Sequence, residues 1–406
     1  MAGAYRGSMQ FRRIENLPPY VFAEVNAQKT LARRAGVDVI DLGFGNPDIP
    51  SPPGVVAKLV EAAEQGKNHR YSASRGIPNL RKAVADRYLR AHGVELDPET
   101  EVINTIGAKE GLSHLMWVLV QPGDVALVPE PSYPIHIYAP VLAGAEVRRV
   151  HLSTDADFFE RLTAAFRTSW PKPRVIVTSF PHNPTTVTVD TTFFERLVDF
   201  AHRNDVMLVH DYAYADIAFD GYHPPSILSV DGAKDVAVEL YTLSKSHSMA
   251  GWRVGFVVGN REIVGALQQL KSYLDYGTFQ PIQIASIIAL NEYDDYIDVV
   301  VDEYRKRRDT LVGGLNRAGW PVTAPEATMF LWARIPEPLR GMGSLKFALD
   351  LLDQAQVAVS PGIGFGPSGD EHVRFALVEN DQRIAQAVRN IRKYLSERGV
   401  ASVGDQ

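Results

Sequence analysis

The stretch TLSKSHSMAGWRVGF, residues 242–256, places one lysine among small hydroxyl residues, with an arginine eight positions later. It overlaps the apolar segment VAVELYTL (236–243), which predicts a buried strand. Lys245 should therefore emerge at the end of a strand, although lysines usually lie where water reaches them. This position indicates a role for Lys245 other than surface charge.

Outward from this stretch, short apolar runs alternate with amphipathic segments of helical length, which predicts a largely parallel sheet covered by helices. A long helix is predicted around 295–318, followed by shorter strands and helices that form a second, smaller α+β unit. The first fifty residues are rich in proline and glycine. We predict three parts: an N-terminal segment, 1–49, that packs with the small domain and covers the cleft, a large domain, 50–292, and a small C-terminal domain, 293–406.

Composition excludes several classes of protein. A net charge of −6 argues against binding to a nucleic-acid backbone, which requires a basic surface. The absence of cysteine excludes disulfides, thiolate nucleophiles and cysteine-ligated metals. No run reaches the roughly 18 apolar residues of a membrane span, and no HExxH or G-x-S-x-G motif occurs. We expect a cytoplasmic protein with no metal, membrane or nucleic-acid partner.

Polar residues follow five predicted strands in turn. Ligands of an open α/β sheet bind at the carboxyl ends of its strands, so these residues are expected to share one crevice. Singly, each has an ordinary structural explanation, such as a helix cap or a turn. Together they supply what pyridoxal 5′-phosphate (PLP) needs: a lysine, a carboxylate, an aromatic ring, hydrogen-bond donors and an anion cradle. The set is Gly107-Ala108-Lys109, Tyr133, Asn183, Asp211 with Tyr214, and Ser244 with Lys245, followed by Arg253.

The lysine stretch resembles the Schiff-base signature of the class I/II aminotransferases of PLP fold type I. From about residue 14 to 395 the chain is most similar to the bacterial alanine (glutamate–pyruvate) aminotransferase branch. The resemblance implies a large domain with a mostly parallel seven-stranded sheet between helices, plus a smaller α+β domain. Further segments that resemble the family, in the same order, are GNPD (45–48), YSASRGIPNLR (71–81), TIGAKEGL (105–112), PSYP (131–134), NPTT (183–186), HDYAYADI (210–217) and VRFALVEN (373–380).

The resemblance also implies a role for each cofactor-binding residue. Lys245 would form the Schiff base and shuttle the substrate proton, and Asp211 would pair with the pyridinium nitrogen. Asn183 and Tyr214 would hydrogen-bond the phenolate oxygen of PLP, and Tyr133 would stack on its ring. The phosphate would be bound by the 107–109 segment through the N–H groups of Ala108 and Lys109, by Thr242, Ser244 and Arg253, and by Tyr71 from a second subunit.

For the substrate, Arg374 would bind the α-carboxylate as a bidentate fork, helped by Gly45 and Asn183. Tyr20 would help to close the pocket. A shared site of this kind implies a homodimer.

Three positions depart from the usual pattern of the family. Thr242 stands where most relatives have serine or glycine, but it keeps the hydroxyl. His182 stands where a small residue is commoner, and His247 where tyrosine is frequent.

We predict an EC 2.6.1 aminotransferase that exchanges an amino group between L-alanine and 2-oxoglutarate by a ping-pong mechanism. Other donors, namely LL-diaminopimelate, aromatic or branched-chain amino acids, remain open, as does a PLP lyase. The alternative from another class is a non-catalytic, PLP-binding regulatory protein.

Overall fold

The computed structural model describes residues 11–15, 17–18, 20–152 and 157–401. Within these ranges the strands form a seven-stranded sheet, a three-stranded sheet and a two-stranded sheet. In chain order the strands are β1 (Ile40–Asp41), β2 (Val102–Thr105), β3 (Val125–Glu130), β4 (Glu146–His151), β5 (Val175–Thr178), β6 (Met207–Asp211), β7 (Ala237–Thr242), β8 (Gly255–Gly259), β9 (Phe330–Arg334), β10 (Val357–Ala358), β11 (Ser360–Pro361) and β12 (His372–Ala376).

The large sheet has the order β2-β8-β7-β6-β5-β3-β4, and β8 runs in the opposite direction to the other six strands. The central strands β5, β6 and β7 are buried almost throughout, as expected of a sheet covered on both faces. The α/β class and the mostly parallel seven-stranded sheet are therefore confirmed.

Helices cover both faces of this sheet and build a separate layer around the smaller ones. They are α1 (Arg12–Glu15), α2 (Val21–Arg34), α3 (Pro53–Ala63), α4 (Pro78–His92), α5 (Ala108–Leu119), α6 (Pro134–Ala143), α7 (Phe158–Thr168), α8 (Thr191–Asn204), α9 (Ala233–Val236), α10 (Leu243–Ser246), α11 (Arg261–Leu274), α12 (Gln280–Glu292), α13 (Asp294–Arg317), α14 (Ser344–Ala355) and α15 (Asp381–Ser396).

The C-terminal part has its own core. Its sheet has the antiparallel order β11-β12-β9, and α13, α14 and α15 pack on it around the fully buried Trp320, Phe347 and Tyr394. The N-terminal segment joins this unit because β1 pairs in parallel with β10 and α2 contacts α14. The boundaries at 49 and 292 stay predictions, and residues 1–10, 16 and 19 lie outside the described residues.

Helix α2 was not predicted from the sequence. Its residues lie in the stretch described only as rich in proline and glycine, yet they form four turns of helix. The first turns of α2 lie against the crevice at the carboxyl ends of the large sheet, where Phe22 packs edge-to-face on Phe365. This helix therefore closes one side of the candidate site.

Candidate active site

A cavity of about 410 Å³ opens at the carboxyl ends of the central strands, between the two cores. Its walls come from both parts of the chain, because α2 and the strand β12 face the ends of β6 and β7 across it. Open α/β sheets bind their ligands at this edge. The predicted site residues that line it are Tyr20, Gly45, Ala108, Lys109, Tyr133, Asn183, Asp211, Tyr214, Thr242, Ser244, Lys245, Arg253 and Arg374.

Lys245 lies in the short helix α10, directly after β7, with its ammonium inside this cavity. Its Nζ donates a hydrogen bond of 3.1 Å to the carbonyl oxygen of Gly45. Burial and then the positive charges of Arg374 and Arg253 lower the pKa of the Lys245 ammonium to about 8, against the opposing charge of Asp211. A substantial fraction of this amine is therefore neutral near physiological pH, as a nucleophile or proton acceptor requires.

Asp211 ends strand β6, with its carboxylate in the cavity wall. One oxygen, Oδ2, lies 2.8 Å from Nε2 of His136, and Nδ1 of that imidazole lies 2.9 Å from the hydroxyl of Ser132. The other oxygen accepts a hydrogen bond of 3.2 Å from the backbone N–H of Ala213. Both oxygens of the carboxylate are thus held in place. His136, on α6, was missed by the sequence analysis because nothing in the sequence pairs it with a residue 75 positions later.

Arg374 lies on β12 and reaches the cavity between two aromatic rings, Phe330 at 4.0 Å and Phe365 at 4.7 Å from its guanidinium carbon. Its Nη1 donates a hydrogen bond of 2.8 Å to Oδ1 of Asn183, and Nδ2 of that amide lies 3.4 Å from the Tyr214 hydroxyl. Burial raises the pKa of Tyr214, which keeps the phenol protonated. Stacking and the amide fix the plane of the guanidinium.

The 107–109 segment forms the entrance to helix α5. Gly107 has φ +79°, and a Cβ there would overlap the guanidinium of Arg253. A Cβ at Gly255 would lie 2.5 Å from the amide nitrogen of Ala108, so small residues leave these amides accessible. The first N–H groups of a helix have no partner within the helix and attract anions. This arrangement fits a phosphate group.

Two hydroxyls stand opposite this helix end. Thr242 Oγ1 lies 2.6 Å from the carbonyl oxygen of Val254 and 2.9 Å from Ser244 Oγ. The Ser244 N–H donates to the Thr242 hydroxyl at 3.2 Å. The single hydroxyl proton of Thr242 is therefore shared between the Val254 carbonyl and Ser244 Oγ, and the hydroxyl proton of Ser244 is left to bind an anion.

Three cations of the cavity, Lys245, Arg253 and Arg374, lack acidic partners. Among the described residues, no carboxylate lies within 4.0 Å of the side-chain nitrogens of Lys245, Arg253 or Arg374, and Nε of Arg374 is buried without a hydrogen-bond partner. Asp41, by contrast, is paired with Lys29 at 2.6 Å. Because unpaired charges are costly to bury, this excess of positive charge indicates anionic ligands.

Tyr71 lies outside this cavity. Its side chain is 85% exposed and packs on the ring of Tyr276, with centroids 4.5 Å apart. Tyr20 lines the mouth of the cavity and packs edge-to-face on Phe22. The predicted contact of Tyr71 with a second subunit stays a prediction.

The two unusual histidines are fully buried and lie outside the cavity lining. Nδ1 of His182 lies 2.7 Å from the Thr185 hydroxyl, and Nδ1 of His247 lies 2.9 Å from the Ser246 hydroxyl. Burial lowers the pKa of His182 to about 3 and that of His247 to about 4, so both imidazoles are neutral. Both are explained as packing residues.

The described residues contain one group of potential metal ligands and no helix suited to spanning a membrane. Glu110, His114 and Asp275 bring potential metal ligands together, but the ammonium of Lys271 contacts both carboxylates. Within the described ranges, no helix combines the length and apolarity that crossing a membrane requires. The absence of a metal and the cytoplasmic location stay predictions.

Comparison with known proteins gives a consistent family. The model of the aminotransferases of class I and II matches residues 37–391. The chain is 54% identical to the glutamate-pyruvate aminotransferase AlaC of Escherichia coli, over 95% of this chain and 94% of that one. It is 42% identical to an LL-diaminopimelate aminotransferase of Dehalococcoides mccartyi, over 94% of this chain and 98% of the other. The substrate-bound BacF structure from Bacillus subtilis superposes with a TM-score of 0.89 at 34% identity, covering 96% of this chain and 98% of that chain.

Proposed function

We propose, since the chain belongs to the class I and II aminotransferase family, that it transfers an amino group between L-alanine and 2-oxoglutarate. Enzymes of this family use PLP. For the substrate pair, the supporting observation is the 54% identity to a glutamate–pyruvate aminotransferase, since pyruvate is the oxo acid of alanine and 2-oxoglutarate that of glutamate. For the catalytic site, the supporting observation is the group of cations without acidic partners around Lys245.

The residues present fit the cofactor. PLP, when bound, supplies a carbonyl that accepts the amino group and a ring that delocalises the electrons of the substrate carbon. Asp211 would accept a hydrogen bond from the ring nitrogen, and its contact with His136 supports this role because it fixes the orientation of the carboxylate. Tyr133 offers an aromatic face, and Asn183 and Tyr214 offer donors. The N–H groups of Ala108 and Lys109, with Gly107 at the turn, the hydroxyls of Thr242 and Ser244, and Arg253 would hold the phosphate.

The substrate would be held by the opposite wall of the cavity. Arg374 binds the α-carboxylate through its two terminal nitrogens, and Asn183 orients that guanidinium. Gly45 leaves room for the Phe330 ring on which that guanidinium stacks, because a Cβ there would lie 2.6 Å from the ring. Tyr20 closes the mouth of the cavity. These contacts bring the substrate Cα within the cavity that contains Lys245.

Lys245 carries out the proton transfer. Its neutral amine would accept the proton of the substrate Cα, and the resulting ammonium would act as the acid that gives the proton back. The lowered pKa near 8 places this amine close to the operating range that general acid–base catalysis favours. The same residue would serve both half-reactions, and the exchange would be ping-pong because the first oxo acid leaves before the second binds, while the amino group stays with the enzyme-bound cofactor.

We further propose a homodimer with shared sites, in which Tyr71 binds the cofactor phosphate of the partner. Support comes from an exposed aromatic and apolar patch formed by Tyr71, Tyr273, Leu274, Tyr276 and Phe279, each at least 45% exposed. Large exposed apolar patches mark interaction surfaces.

A second donor, LL-diaminopimelate, is favoured by the 42% identity to an aminotransferase of that name. The deciding experiment adds single amino acids to the PLP-loaded enzyme without oxo acid, and follows the loss of the visible cofactor band. Loss with L-alanine and L-glutamate, with pyruvate and 2-oxoglutarate as products, supports the proposed pair. Loss with LL-diaminopimelate but not with L-alanine would replace the proposed donor.

A further inference from the structure

A buried ionic cluster lies directly behind the 107–109 segment. The ammonium of Lys271, on α11, is fully buried and lies 2.8 Å from Glu110 Oε1 and 2.9 Å from Asp275 Oδ2. Nδ1 of His114 lies 2.6 Å from the same Glu110 oxygen. A buried ammonium is retained only when it is paired, so the geometry of this cluster is strongly constrained.

Glu110 connects the cluster to the entrance of α5. It is the third residue of the helix, and its Oε2 accepts a hydrogen bond of 2.8 Å from the backbone N–H of Ile106. That bond fixes the turn at Gly107, and the two residues that follow, Ala108 and Lys109, line the cavity. The orientation of the Glu110 carboxylate therefore sets the position of these amides.

The same carboxylate creates an electrostatic problem. Glu110 immediately follows the two amides proposed to bind a phosphate, and a carboxylate so close to a dianion would repel it. Burial opposes ionisation of Glu110, but the hydrogen bond from His114 and the charge of Lys271 lower its pKa overall, so it is charged. Lys271 supplies the compensating positive charge at 2.8 Å.

Asp275 extends the cluster to the surface. Its Oδ1 accepts a hydrogen bond of 2.6 Å from the N–H of Gly277, and its carbonyl oxygen accepts one of 2.7 Å from the Ser74 hydroxyl. These bonds connect the turn that presents Tyr276 with the segment that follows Tyr71, and the two rings contact each other at an interplanar angle of 34°. The cluster thus joins two segments that are both proposed to contact a phosphate.

We propose that Lys271 is a positioning residue for cofactor binding, which neutralises Glu110 behind the 107–109 segment and so permits selective binding of the phosphorylated cofactor. The inference rests on the proposed phosphate site. Its distinguishing consequence is that Lys271 contributes to the affinity for PLP and not to that for pyridoxal, which has the same ring but no phosphate.

The test measures the dissociation constants of the apoprotein for PLP and for pyridoxal, by absorbance and by quenching of intrinsic fluorescence. In Lys271→Met we expect the constant for PLP to rise roughly tenfold or more, while that for pyridoxal stays within about twofold. Equal weakening of both ligands would indicate a merely structural role and overturn the proposal, as would no change in either.

Asp275→Asn changes the net charge of the cluster in the opposite direction to Lys271→Met. It keeps the shape of the side chain but removes one negative charge from Lys271, so we expect the preference for PLP over pyridoxal to increase. An unchanged or smaller preference would contradict the proposal, even if Lys271→Met does not fold.

The matched control is Lys234→Met. Lys234 is paired with Glu101 at 3.2 Å, at the other end of strand β2. Its replacement should therefore leave the preference for PLP over pyridoxal unchanged. If the unmodified protein itself shows no preference for PLP over pyridoxal, the phosphate site fails. If it shows a preference that Lys271→Met retains, only the role of Lys271 fails.

Discussion

Arg374 and Asn183 form a direct hydrogen bond of 2.8 Å, although 191 positions separate them in the sequence. The same amide lies 3.4 Å from the hydroxyl of Tyr214. Asn183 thus accepts from the guanidinium proposed to bind the substrate and faces the phenol proposed to contact PLP. Through this amide, the orientation of substrate and cofactor would be set together.

The first prediction concerns the shape of the Arg374 side chain. Arg374→Lys keeps the positive charge but loses the planar fork, its stacking between two rings and the bond to Asn183. We expect KM for the amino acid and for the oxo acid to rise by roughly 10- to 100-fold, with a smaller effect on kcat. Steady-state kinetics with both substrates varied provides the measurement.

Arg334→Lys is the control for this change. Arg334 lies on β9, which pairs with β12, but its side chain is more than half exposed and binds Glu371 at 2.7 Å. An exposed ion pair contributes little to stability, so the kinetics of the Arg334→Lys variant should match those of the unmodified enzyme. Equal losses in the two variants would mean that the sheet, and not the guanidinium of Arg374, is responsible.

The second prediction is a pH dependence of Lys245 in the apoprotein. Lowering the pKa of an ammonium makes the proton leave at lower pH, so the neutral amine appears from about pH 8 upward. Competitive acetylation with quantification of the Lys245 peptide should give a midpoint near 8, compared with about 10.4 for a lysine in an unstructured peptide. A midpoint at 10 or above would show that burial and the neighbouring arginines do not act on this residue as proposed.

The sequence predicted the strand ends well because each depends on local patterns. Buried parallel strands are largely apolar runs, and the polar residues at the end of such a run, such as Asp211 on β6 or Lys245 just after β7, mark the carboxyl edge of the sheet. Periodicity and topology therefore bring the strand-end residues to one edge of the sheet, whereas the role in cofactor binding that we propose for each follows from the resemblance to the family.

The rest of the site depends on contacts between distant segments. His136 contacts Asp211 only because α6 packs across the sheet, and Lys271 meets Glu110 across 161 positions. Helix α2 was missed because prolines and glycines on either side of it dominate the first fifty residues. No local pattern encodes these pairings.

The third prediction concerns His136 as a positioning residue. His136→Leu removes the hydrogen bond of 2.8 Å to Asp211 Oδ2 and leaves that oxygen without its imidazole partner. Because hydrogen bonds to charged groups contribute about 1.5–3 kcal/mol, we expect kcat to fall by roughly 10- to 100-fold and the visible cofactor band to shift. The same change at His202, an exposed residue whose Nε2 lies 3.0 Å from the Gly232 carbonyl, should alter neither quantity. An unshifted band in the His136 variant would contradict the proposed contact.

The fourth prediction tests whether Tyr71 acts in the partner subunit. Tyr71→Ala loses one proposed phosphate ligand, and Arg374→Ala loses the substrate anchor, so each homodimer should be weakly active at limiting PLP. In a hybrid dimer, the subunit that carries Tyr71→Ala keeps its own Arg374 and receives Tyr71 from the other subunit, which restores one complete site.

Random exchange of the two variants makes about half of the dimers hybrid, each with one of two sites restored, so activity should recover to about a quarter of the unmodified value. The control mixes Arg374→Ala with Lys245→Ala. Both of these residues line the cavity of their own chain, so every subunit in that mixture has an incomplete site and no recovery is expected. Recovery in the control as well would point to contamination, whereas no recovery in the Tyr71 mixture, with exchange verified by mass spectrometry, would mean that Tyr71 does not act across subunits.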